Sequence, residues 1–165
     1  MKLIGARLQL IRGIVVERLT SQPDCVAPLA DAFAAEWPDW AARTSRATLE
    51  HGFLEGAGEQ LPHVWVALDG ARPVGTIALR PWFAEEAMDE TPWIRGLLVE
   101  RGYRGRGVDR LLIAAAESAA QRLGHRVVYS ATTRIECLAL RRGWEVFRRL
   151  EHDGAPMAWL RKPLD

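Results

Sequence analysis

From Arg101 to Arg110 the chain reads RGYRGRGVDR: four arginines, three glycines and one carboxylate, Asp109, at the foot of an alanine-rich segment. A helix N-terminus presents amides that lack intrahelical partners together with a partial positive charge, and glycine lets a ligand approach them closely. Gly105 and Gly107 stand immediately before the helix that the pattern implies, while Arg101, Arg104, Arg106 and Arg110 can give charge-assisted hydrogen bonds to phosphate oxygens. The chemistry that fits is binding of a phosphorylated ligand. Taken alone, such a turn is equally a solvated strand-to-helix connection. A phosphate-binding P-loop requires Gly-Lys-Ser/Thr, and Gly107 is followed by Val108 and Asp109. A dinucleotide fingerprint starting at Gly105 requires glycine where Arg110 stands.

The elements that would position this corner follow from periodicity and turn residues. Strands are expected at Gly13 to Leu19, His63 to Leu68, Val74 to Arg80, Trp93 to Glu100 and Arg126 to Ala131, with a closing hairpin over residues 145–163 whose turn is HDGAP. Helices are expected at Val26 to Glu36, where Pro38 then stops the pattern, at Arg46 to Gly56, at Val108 to about Leu123, and at Ile135 to Arg142. Of these, Val108, Leu111, Leu112, Ala115, Ala119 and Leu123 give the clearest helical spacing. The order predicts a mixed α/β (α+β) domain spanning residues 1–165, with a mostly antiparallel sheet of six to seven strands and helices on both faces.

Composition narrows the partners. Of 165 residues 48% are apolar, enough for a real core, and 22 Lys plus Arg against 21 Asp plus Glu leave no overall field for nucleic acid or an anionic membrane surface. Cys25 and Cys137 match no metal or disulfide spacing, so no metal is expected and a reducing, cytoplasmic setting is. Arg7, Gln9 and Arg12 interrupt the N-terminal apolar stretch before a signal-peptide core or membrane span can accumulate.

The segment LLVERGYRGRGVDRLL resembles the GNAT superfamily of acetyl-CoA-dependent N-acetyltransferases. RGRGVD, from Arg104, matches that family's Arg/Gln-x-x-Gly-x-Gly/Ala signature except at its last position, and VVYSATTRIECLALRRGWEV resembles the strand, helix and Gly-Trp that follow. The resemblance is strong over Trp93 to Val146 and extends by element order over His63 to Leu160.

It implies a GNAT-like fold and transfer of an acetyl group from acetyl-CoA to a primary amine of a small molecule or peptide. The alternative it leaves is a catalytically impaired acyl-CoA-binding module. By resemblance, the backbone of Arg104, Gly105, Arg106, Gly107, Val108 and Asp109 holds the pyrophosphate, and Leu97, Leu98 and Val99 align the pantetheine arm. The Val99 amide is the implied oxyanion donor. Ala139 occupies the place where family members carry an acidic tyrosine, which leaves Tyr129, Ser130 and Cys137 as substitutes or the thiolate to be protonated by water. Candidate bases are Glu85, Glu86, Asp89 and above all Glu90, an acidic rim that would also steer a cationic amine. Trp82, Phe83 and Trp93 flank that rim, and Trp37 and Trp40 fall where such enzymes form their acceptor cleft. Pairing through sheet edges or helices, common in the family, makes a homodimer one assembly the resemblance allows, and the sequence does not settle the oligomeric state.

Asp109 is the anomaly. In a helix's first turn a carboxylate stabilises by about 0.3–1 kcal/mol. About 5 Å from a phosphate it would cost roughly 3 kcal/mol at an effective dielectric of about 20. Pairing with Arg106 or Arg110 would relieve that repulsion.

Overall fold

The computed structural model describes residues 13–56, 58–83 and 89–165. The N-terminal stretch read for a signal peptide, and Glu85 and Glu86 of the acidic rim, lie outside the described residues. The elements run β1 (Ile14–Arg18), α1 (Val26–Glu36), α2 (Pro38–Ala41), α3 (Arg46–Leu54), β2 (His63–Asp69), β3 (Arg72–Arg80), β4 (Trp93–Val99), α4 (Val108–Arg122), β5 (Val127–Thr132), α5 (Glu136–Arg141), β6 (Glu145–His152) and β7 (Ala155–Pro163). Pro38 ends α1 as expected and also opens the short α2, because proline lacks only an amide that a first-turn position leaves unpaired.

Seven strands form one sheet in the order β1-β2-β3-β4-β5-β7-β6, antiparallel throughout except for β4 beside β5. Both faces are covered. Val64, Val66 and Leu68 of β2 pack against Val26, Leu29 and Ala30 of α1 and Phe53 of α3. The intervening Trp65 and Ala67 face Leu111, Leu112 and the alanines of α4. Burial on both faces explains why β2 and β3 read as nearly unbroken apolar runs instead of alternating. Helix α4 buries Val108, Leu111, Leu112, Ala115, Ala116, Ala119 and Ala120, a stripe at three- and four-residue spacing. Its small residues let it lie close over the central strands and hold its N-terminus at the end of β4.

A third cluster forms at the far side of the sheet. Trp93, Met157 and Trp159 are buried there with Phe83, Tyr129 and Phe147 around them. Trp93 is fully buried, 5.1 Å from the Trp159 ring and 5.6 Å from that of Tyr129, and its indole N–H donates to the Glu90 carbonyl at 2.7 Å. This cluster clamps β4 to β5 at one point. Among the described residues, no helix is long and apolar enough to cross a membrane.

Candidate functional site

Strands β4 and β5 run parallel but pair only at Trp93 and Tyr129. The Tyr129 amide donates to Pro92 O at 2.9 Å, the Ser130 hydroxyl donates to Ile94 O at 3.0 Å, and beyond these the strands part. A bulge accompanies the parting. Thr76 pairs with Leu98 and Ala78 with Arg95, so Ile77 alone opposes both Gly96 and Leu97. Gly96 sits at φ 62°, where a side chain is strained, and a Cβ there would lie 3.3 Å from the Phe33 ring. The parted strands border a cleft of about 430 Å³, floored by Gly96 and Leu97 and walled by Trp37, Phe83, Ser130 and Ala139. Gly96→Ala should therefore cost about 1–2 kcal/mol of stability and lower turnover severalfold by straightening the bulge, with chemical melts and steady-state rates as the readouts.

The backbone of β4 offers the cleft an unpaired edge. Glu100 N donates to Val74 O at 2.9 Å, and antiparallel pairing alternates, so the N–H and C=O of Val99 point away from β3. The Val99 carbonyl accordingly accepts from Arg104 Nε at 2.8 Å. Leu97 lines the cleft itself.

Past β4 the chain turns into α4 through Gly105 (φ 74°) and Gly107 (φ 84°), the second being the helix N-cap with no side chain capping it. Arg110 and Leu111 amides both return to Gly107 O. The amides of residues 105–109 take part in none of the described hydrogen bonds. Five successive donors without a described partner at a helix N-terminus make an anion nest, and its two glycines put no side chain over it. This is a fit for a pyrophosphate group, carried by backbone.

The arginines have other work. The Arg104 guanidinium holds Val99 O and the Glu36 carboxylate, the latter at 2.9 Å, and so ties the end of α1 to the nest. Arg106 lies over the Tyr103 ring, 5.3 Å from its centre. Asp109 pairs with Arg142, which follows α5, and not with Arg106 or Arg110 as its sequence neighbours suggested. Both partners are about three-quarters buried, at 25% and 26% side-chain exposure, and both line the cleft. Tertiary packing brings together residues 33 positions apart, which no local pattern encodes. The pair cancels the charge that Asp109 would otherwise turn on a phosphate. Asp109→Gly should still tighten acetyl-CoA binding, by roughly tenfold, because it frees the Arg142 cation beside the nest. Apo stability should fall by about 1 kcal/mol through loss of the pair and of the dipole interaction. Calorimetric titration and melting curves on one preparation test both halves.

The other sequence candidates are dispersed. Glu90 pairs with Arg148 at 3.4 Å, and Asp89 is exposed. Tyr129 belongs to the aromatic cluster, its ring 5.6 Å from Trp93 and from Phe147. Cys137 is exposed on α5, whereas its neighbours Leu138 and Ala139 line the cleft. Trp37 and Phe83 line the cleft, Trp93 is core, and Trp40 and Trp82 are exposed. Among the cleft side chains that the sequence did not single out, two bear on the chemistry. Glu36 arrives from the end of α1 and Arg95 from within β4. Glu36 stands beside the EWPDW motif, and a lone arginine inside an apolar strand is itself a signal, since charge in such a setting needs a partner.

Residues 27–141 match the model of the acetyltransferase (GNAT) family. A search of curated proteins finds no match to the sequence. Among solved structures, an aminoglycoside 6'-acetyltransferase type Ii superposes with a TM-score of 0.74 at 18% identity, over 92% of this chain and 97% of that one. An aminoglycoside 6'-N-acetyltransferase complexed with coenzyme A gives 0.72 at 15% identity, over 92% and 97%. A GNAT-family acetyltransferase from Streptococcus pneumoniae gives 0.69 at 11% identity, over 92% and 99%. At such identities the likeness is one of fold.

Proposed function

The chain belongs to the GNAT acetyltransferase family, and from that premise we propose that it transfers acetyl from acetyl-CoA to a primary amine by direct attack. The observation that carries this reading is the nest of free amides at residues 105–109, continuous with the unpaired edge of β4 and the cleft beyond it. The nest would hold the pyrophosphate, and the Val99 edge would align the arm. Leu97 at the bulge and the outward Val99 amide supply backbone on which an oxyanion can be stabilised, preorganised and at no cost of reorganisation. Acetyl-CoA supplies a thioester carbonyl: as the amine nitrogen forms its bond to that carbon, the carbon–sulfur bond breaks and CoA leaves as thiolate.

An ammonium must lose its proton before it can attack. Glu36 is the carboxylate we assign to this, since Asp109, the other one in the cleft, belongs to the nest that would hold the pyrophosphate. Glu36 Oε2 accepts from Arg104, leaving Oε1 without a described partner. Neither Tyr129 nor Cys137 lines the cleft, and Ala139 forms its wall. As the tetrahedral intermediate collapses the nitrogen loses its second proton, and water relays it to the departing thiolate, whose basicity is that of an ordinary thiol with a pKa near 8.5.

Release of CoA thiol from acetyl-CoA, followed over a panel of polyamines, aminoglycosides, amino acids and peptides, tests the proposal. Amine-dependent release is expected. Tight acetyl-CoA binding with no turnover on any amine would instead favour the impaired binding module.

A further inference from the structure

We propose that the acceptor amine carries a carboxylate and that Arg95 binds it, an assignment that rests on the transferase reading above. Arg95 lines the cleft. Its guanidinium lies 4.9 Å from the centre of the Phe83 ring and has no carboxylate partner or hydrogen bond among the described residues. Of the other arginines that line the cleft, Arg142 pairs with Asp109, and Arg134, without a described partner, is exposed to solvent; nearby, Arg104 is held by Glu36 and Arg80 by Glu55 at 2.7 Å. Burial, and then the nearby Arg80 cation, pull the Arg95 pKa below the ordinary arginine value. Among the described residues this half-buried cation faces an apolar ring and a second cation and meets no anion.

The position of Arg95 identifies which anion. The phosphate nest lies beyond the C-terminal end of β4, whereas Arg95 precedes the Gly96 bulge. From residue 95 to residue 99 the strand runs roughly 13 Å at about 3.3 Å per residue, out of reach of a pyrophosphate in the nest. What lies next to Arg95 is the cleft beside the bulge, where amine and thioester must meet. Glu36 for an ammonium and Arg95 for a carboxylate together describe a zwitterionic acceptor, an amino acid or short peptide. A polycationic aminoglycoside would set like charge against Arg95 with nothing to offset it. A planar guanidinium also suits a carboxylate in two-point contact. A carboxylate on the acyl group, as in succinyl-CoA, would satisfy the same chemistry from the donor side, and the experiment separates the two sources.

Thiol release is measured with free amino acids and dipeptides against their C-terminal carboxamides, using acetyl-CoA and succinyl-CoA in parallel. With acetyl-CoA, the acids are expected to exceed the amides in kcat/KM by about tenfold or more. Arg95→Gln should remove that preference by raising KM for the acids roughly tenfold to thirtyfold, a loss far larger than any on the amides; Arg95→Lys should restore part of it. Amides used as well as acids, or a preference that survives Arg95→Gln, overturns the proposal. So does a strong preference for succinyl-CoA that Arg95→Gln abolishes, which would place the carboxylate on the acyl group. Should no amine turn over, the transferase reading fails separately. Thermal shifts of the CoA-loaded protein with acids against amides, in wild type and Arg95→Gln, then decide the carboxylate site: stabilisation by acids that the variant loses supports it, and equal shifts refute it.

Discussion

Glu36→Gln is expected to lower kcat about a hundredfold at neutral pH while leaving acetyl-CoA affinity close to that of the wild type, since a positioned base contributes at least that much to proton removal. Glutamine keeps an oxygen that can accept from Arg104, so the tie between the end of α1 and the nest survives, and the charge and basicity alone are lost. The pH profile identifies the role. Without a base the reaction depends on the free-amine fraction in solution, so the variant's rate should climb about tenfold per pH unit up to the amine's own pKa and approach the wild type there. A purely structural role for Glu36 would depress the rate equally at every pH. An unchanged rate would remove Glu36 from the chemistry.

Gly107→Val is the second large effect, and it falls on binding. Gly107 caps α4 at φ 84°, a left-handed conformation in which a β-branched residue is a strong outlier. Valine there must either twist the turn, which scatters the amides of residues 105–109, or hold a side chain over the surface they present. Either way the dissociation constant for acetyl-CoA should rise about a hundredfold, roughly 2.7 kcal/mol. Gly102→Val is the matched control: its φ is not positive and a Cβ meets nothing within 4 Å. That variant should bind as the wild type does. Equal losses in the two would point to general damage to the loop, and equal affinity in all three would dismiss the nest.

The two effects separate along the line between what was legible in the sequence and what was not. The nest was legible because it is local: glycines, a strand before them and an amphipathic helix after them lie within a few residues. Strand and helix boundaries fell close to expectation for the same reason. Each rests on short-range periodicity or turn chemistry, such as the two-residue connection Asp153-Gly154 between β6 and β7. The mixed sheet of seven strands follows from the order of those elements.

The proposed base was not legible, because its place depends on which distant segments the fold juxtaposes. Glu36 and Arg104 are 68 positions apart, as Asp109 and Arg142 are 33. The acidic rim drew attention by charge density, yet Glu90 pairs with Arg148 outside the cleft. Tyr129 illustrates a related limit. Being near the cofactor strand in sequence says nothing of which face a side chain takes, and one step along β5 separates the tyrosine in the aromatic cluster from Ser130 in the cleft. Gly96 was the nearest miss. A glycine inside the apolar run WIRGLLVE is a recognisable bulge signal, and the bulge is what accompanies the opening of the sheet.

The claim on which everything else depends is that the nest after β4 holds the pyrophosphate of acetyl-CoA. Calorimetric titration of the full chain with acetyl-CoA tests it most directly. The expected result is one saturable site per chain, competed by free CoA and weakened about a hundredfold by Gly107→Val but not by Gly102→Val. Absence of binding at millimolar acetyl-CoA, or binding indifferent to Gly107→Val, would contradict it.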